Sequence, residues 1–142
     1  MIIDMAFDVS SEVVLLLPVA IAALFGSMIG IERELRHKPA GIGTNILICA
    51  GACIFALLST RIDPFSPSRI ASNILTGVGF IGAGLILKTD EGSIRGLTTA
   101  AGIWMAAATG MAIGFNYYLL AAFGTILAIV APRLPGWLQT EK

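Results

Sequence analysis

Gly77, Gly79 and Gly82 stand in the run TGVGFIGAGLIL with the spacing G-x-G-x-x-G, a pattern that can cradle the pyrophosphate of a dinucleotide. That chemistry needs a strand before the glycines, a helix after them and an acidic residue about 20 positions further on. No strand signal precedes Gly77, and residues 97–102 contain no acid, so the surroundings argue against nucleotide binding. Asp4, Asp8 and Glu12 recur every four residues and would share one face of an N-terminal helix. One or two carboxylates suffice for Mg²⁺, which keeps several of its waters. The polar face of a helix lying on a bilayer explains the same spacing, and is the favoured reading. Cys49 and Cys53 are one turn apart on one helix face, with side-chain directions unsuited to a disulfide, and read as small buried filler. Nothing resembles a nucleophile beside its base or a zinc cluster. Neither enzyme activity nor a cofactor is expected, and no nucleic-acid partner.

The elements that would position these residues follow from composition. Of the 142 residues 56% are hydrophobic and 13% charged, against about 25% charged in soluble domains. Five stretches lack any charged side chain: residues 13–31, 42–58, 70–87, 97–115 and 117–131. A bilayer core takes about 17 to 25 apolar residues in a helix. Four stretches qualify, and Tyr117, Tyr118 and Trp137 can anchor the shorter fifth at the interfaces. The fold class is therefore all-α, a polytopic membrane bundle of about five transmembrane helices in one domain, 1–142. With the N-terminus outside and the C-terminus cytoplasmic, seven of the nine Lys/Arg face the cytoplasm, and only Arg61 and Arg69 lie outside. The positive-inside rule favours that orientation. The first twelve residues carry no Lys or Arg, unlike a cleaved signal peptide, so the first span is expected to persist in the mature protein.

Small residues predict how the spans pack. On the third helix Gly77 and Gly84 share one side, Gly79 and Gly82 lie largely opposite, and Ile74, Val78, Ile81 and Leu85 form the remaining stripe. Glycine lets backbones approach closely where lipid supplies no hydrophobic drive, so the third helix is expected at the centre. A broken helix around an ion path is the alternative. Gly26 and Gly30 on the first helix, and Gly102, Gly110 and Gly114 on the fourth, extend the logic. Helices one, three and four are expected to pack tightly together.

Three motifs, ERELRHKPAG followed by Thr44, PSRIASNILTGVGFIGAGLIL and RGLTTAAGIWMAAATGMAIG, occur in order over residues 20–115. Together they resemble the membrane domain of the MgtC/SapB family of bacterial inner-membrane proteins. Gly43 and Asn45 stand where the family commonly shows Arg and His. The soluble C-terminal domain of the longer members is expected to be absent. The resemblance implies a role in growth under magnesium limitation and, in pathogens, in survival inside macrophages. Restraint of the F-type ATP synthase is associated with the best-known member.

The charged and polar residues then offer two mechanisms. ERELRHK should carry the first helix beyond the membrane until Pro39 ends it, with Glu32–Arg36 and Glu34–Lys38 as solvated i,i+4 pairs. Arg33 and Arg36 would belong to a solvated extension or a docking surface, decorated by His37. Across the membrane, Ser66-Pro67 reads as the start of the third helix. Arg69 would reach lipid headgroups or pair with Asp63, and Asn73 would tie helices together. The first mechanism is regulation of a membrane complex by contact. The second is a small channel or transporter, including a homo-oligomeric one, lined by Thr44, Asn45, Asn73, Thr98 and Thr99. No acid lies within any predicted span, which argues against a carboxylate proton relay.

Overall fold

The computed structural model describes residues 9–62, 64–66, 68–88 and 93–134. They form helices α1 (Val9–Leu35), α2 (Ile42–Ile62) and α3 (Ser68–Gly84), strands β1 (Leu87–Lys88) and β2 (Ile94–Arg95), then α4 (Leu97–Gly114) and α5 (Tyr118–Val130). A 3₁₀ turn, Ala131–Arg133, follows α5. The chain is thus nearly all helical, as its composition implies. Glu12–Leu35, Ile42–Ile62 and Leu97–Gly114 are long and apolar enough to cross a membrane, whereas the apolar stretch Tyr118–Arg133 is shorter. The third apolar stretch, 70–87, is not helical throughout. Its helix stops at Gly84, and Leu87 and Lys88 pair antiparallel with Arg95 and Ile94 in a two-stranded ribbon.

Local backbone chemistry ends α1 earlier than Pro39 would. The Lys38 N–H donates to the Arg33 carbonyl and the His37 N–H to the Glu34 carbonyl, both at 3.0 Å. His37 takes the left-handed conformation, φ 52°. This is the Schellman arrangement, which satisfies the last carbonyls of a helix. The same device ends α4, where Asn116 has φ 66° and the Tyr117 N–H donates to the Ala112 carbonyl at 2.7 Å.

The core is built on α2, which α1 and α4 flank. Most of its buried residues are small: Cys49, Ala52 and Cys53 pack with Ala22 from α1 and with Ile103, Ala107 and Ile113 from α4, and Ala56 faces Gly114. Glycine permits the approach at four points. A Cβ at Gly26 would stand 2.6 Å from the Asn45 carbonyl oxygen, and one at Gly30 would stand 2.9 Å from the Ile42 nitrogen. At Gly110 a Cβ would overlap the Cys49 carbonyl, and at Gly114 it would lie 2.7 Å from the Cys53 carbonyl oxygen. Where lipid offers no hydrophobic drive, dense backbone contact of this kind supplies the dispersion energy that holds helices together. α5 closes on α4 and α1 through the buried Ala121, Thr125 and Ala128.

The tight unit is therefore α1, α2 and α4, and the expectation of a central third helix is corrected. α3 lies at the edge, against α4 and α2, with only Val78 and Gly82 buried. A Cβ at Gly82 would make ordinary contact with the Ala100 Cβ at 3.6 Å, and at Gly77, Gly79 and Gly84 it would meet nothing within 4 Å. Gly102 on α4 also faces open space. Small residues suit a crowded contact and an open face equally, so periodicity could not decide between them. Gly79→Leu should consequently change thermal stability in detergent by no more than about 0.5 kcal/mol, the range of surface substitutions. A loss of about 1 to 3 kcal/mol, as for overpacking of a core, would return α3 to an enclosed position.

Candidate functional site

Antiparallel helices bring the end of α1, the start of α4 and the end of α5 to one end of the bundle, and a charged cluster forms there. Glu32, in the last turns of α1, is only 4% exposed. Its Oε1 lies 3.5 Å from Arg36 Nη1 and 3.4 Å from Arg133 Nε, and its Oε2 lies 3.8 Å from Arg33 Nη1. Arg33 is buried to the same degree, and its Nη2 donates to the Thr99 hydroxyl of α4 at 3.2 Å. Arg36 Nη1 also donates to the Pro132 carbonyl at 3.0 Å. Side chains 66 and 101 residues apart in sequence are thereby joined.

The solvated helix surface expected around Glu32 and Arg33 is corrected by this burial. The Glu32–Arg36 pair exists, but its acid is enclosed and shared among three guanidiniums. A buried carboxylate is tolerated only when paired, and α1 turns Glu32 and Arg33 inward where α4 and the end of α5 supply partners. The Arg33 Nε and the Glu32 Oε2 have no hydrogen-bond partner. Among the described residues, then, three positive charges gather on one negative charge.

Glu34 also differs from its expected role. Instead of pairing with Lys38, which lies beyond the helix, its Oε2 accepts the Ile42 N–H at 3.1 Å. It thus places a negative charge at the N-terminus of α2, where the helix dipole favours it. Asn45, 1% exposed, completes this turn by donating from Nδ2 to the Ala40 and Gly41 carbonyls at 2.6 and 2.9 Å. Thr44 beside it is exposed. The α1–α2 connection is fixed from both sides.

The opposite end is more open. Arg69 and Asn73 on α3 are exposed, and the proposed Asp63 partner, like Pro67, Asp4, Asp8 and Trp137, lies outside the described residues. Asn73 does not tie α3 to another described helix. It lines a cavity of about 500 Å³ between α2 and α3, together with Leu47, Gly51, Phe55 and Ile70. Among the described residues no three His, Cys, Asp or Glu side chains gather as a metal site. Cys49 and Cys53 are free and buried.

In the sequence Thr99 reads only as a pore candidate, and Arg133 only as one of the seven cytoplasmic basic residues. The antiparallel helix order was the one signal that could have placed both beside Glu32.

Comparison with known proteins places the chain in a family. A sequence model of the MgtC family matches residues 19–140. Protein MgtC of Salmonella typhimurium is 42% identical over 110 residues, covering 78% of this chain and 47% of the relative. Protein MgtC of Brucella abortus is 43% identical over 115 residues, covering 80% of this chain and 48% of the relative. The chain thus spans about half the length of the curated relatives it matches. No solved structure matches. The matched stretch includes the positions of Glu32, Arg33, Thr99 and Arg133. The chain belongs to the MgtC family.

Proposed function

We propose that the chain is a non-catalytic, multi-pass protein of the bacterial inner membrane that supports growth under magnesium limitation by contact with a membrane complex. The F-type ATP synthase is the partner the family resemblance suggests, and in a pathogen the same action would favour survival inside macrophages. The observation that carries the reading is the closed centre of the bundle. The backbones of α1 and α2 meet at Gly26 and Gly30, and those of α2 and α4 at Gly110 and Gly114, close contact that favours dry packing over a conduit between these helices. The cavities of about 500 and 490 Å³ open instead between α2 and α3 and between α4 and α5, and apolar side chains form most of their walls.

The contact surface would be the end that carries the exposed Lys38, Lys88 and Arg95, which the positive-inside rule turns to the cytoplasm. Arg33 is buried and belongs to the support of that surface.

In sealed liposomes the purified protein should pass no Mg²⁺, K⁺ or H⁺ above empty-vesicle leakage. Lys38→Glu combined with Arg95→Glu should abolish rescue of growth at low magnesium while the membrane level of the protein stays unchanged. Asn73 at the α2–α3 cavity favours a second reading, a conduit at the bundle edge. An ion flux lost in Asn73→Leu would overturn the contact reading in its favour.

A further inference from the structure

A second groove runs between α4 and α5 and ends at the charged cluster. Its volume is about 490 Å³, and Leu97, Ala101, Gly102, Met105, Leu127 and Pro132 line it. A side chain added at Gly102 would meet nothing within 4 Å, so the groove is open along the middle of its α4 wall. Pro132 is the link to the charges: its carbonyl receives Arg36, and the next residue, Arg133, reaches Glu32.

The charges at this mouth do not balance among the described residues. Arg33, Arg36 and Arg133 share the single carboxylate of Glu32, and Glu34 is engaged with the α2 N-terminus. The side chains of Arg36 and Arg133 remain 41% and 57% exposed, so both can reach a further anion. An apolar slot along a helix long and apolar enough to cross a membrane, ending beside excess guanidinium charge among the described residues, matches one kind of molecule. Among the described residues a neutral chain alone would leave the arginines unbalanced, and a free anion alone would leave the slot unfilled.

We propose that the α4–α5 groove binds an anionic phospholipid, with an acyl chain lying past Gly102 and Met105 and the phosphate between Arg36 and Arg133. Guanidinium groups bind phosphate oxygens in a bidentate manner. A zwitterionic lipid offsets its own phosphate with an ammonium, so the anionic headgroup is preferred. The proposal stands apart from the contact mechanism above, because lipid retention is read without growth or ion flux.

Native mass spectrometry of the full chain in detergent, with phosphatidylglycerol and phosphatidylcholine of identical acyl chains added in equal amounts, tests it. Phosphatidylglycerol should be retained about tenfold over phosphatidylcholine, in line with the attraction of basic clusters to anionic lipid. Arg36→Gln with Arg133→Gln should remove that preference while phosphatidylcholine retention stays the same. Gly102→Leu, whose Cβ would meet no protein atom within 4 Å, should lower retention of both lipids at unchanged melting temperature. Equal retention of the two lipids by the unaltered chain would overturn the proposal. So would competition by inorganic phosphate alone at the concentration of the lipid, which would make the site one for a free anion. A lipid-free dimer that Gly102→Leu dissociates would also overturn it, by assigning the groove to a second copy of the chain.

Discussion

Gly110→Ala should destabilise the protein although alanine is the better helix former. The propensity gain is about 1 kcal/mol. Against it stands a methyl group directed at the Cys49 backbone carbonyl, which cannot rotate away as a side chain could. Overpacking commonly costs about 1 to 3 kcal/mol, and more where backbone must move, so the clash should win. Gly110→Val should leave little folded protein in detergent extracts. Fluorescence-detected size exclusion after a heating series measures both variants beside Gly79→Leu, whose site is open. A Gly110→Ala protein that melts at or above the parent temperature would mean that α2 and α4 are further apart than described.

Glu32→Ala should be the most damaging change at the charged end. It leaves Arg33 buried beside Thr99 without its carboxylate, and breaking one side of a buried ion pair costs about 3 to 5 kcal/mol. Glu34→Ala removes a single cap from Ile42, a loss of about 1 kcal/mol. Replacing both buried partners by shape-preserving neutral groups, as in Glu32→Gln with Arg33→Met, should recover most of the stability, because paired removal leaves no orphaned charge. Chemical or thermal unfolding in detergent ranks the three. If Glu32→Ala were no worse than Glu34→Ala, the carboxylate would have to be hydrated, and the enclosed cluster would be wrong.

The helix inventory could be read from the chain because membrane spans announce themselves by charge-free length. The expected starts of the second and fourth spans coincide with Ile42 and Leu97, where α2 and α4 begin. The pairing of Glu32 with Arg36 was legible too, since i,i+4 spacing is local. Burial of its acid was not, because Glu32 is enclosed with partners from far along the chain, Arg133 among them. The early stop of α1 was hidden for a different reason. Proline is a visible breaker, whereas a histidine in the left-handed region leaves no compositional mark. The place of α3 was misjudged because its glycine faces carry the same pattern whether a neighbour fills them or not, and the large side chains that could have decided it form only one stripe.

The four glycine contacts also bear on which parts of the bundle can move. If α4 slid along α2 by one helical turn so that Ala106 stood where Gly110 stands, its Cβ would strike the Cys49 carbonyl, which leaves no room for one. α1 is held in register at Gly26 and Gly30 in the same way. Packed interiors transmit displacement and do not absorb it, so α1, α2 and α4 must travel as one piece. α3 is under no such lock: its glycines touch nothing on three of four positions, and it is tied to α4 through a ribbon of two residues per strand. α3 thus lacks the close backbone contacts that hold α1, α2 and α4 in register.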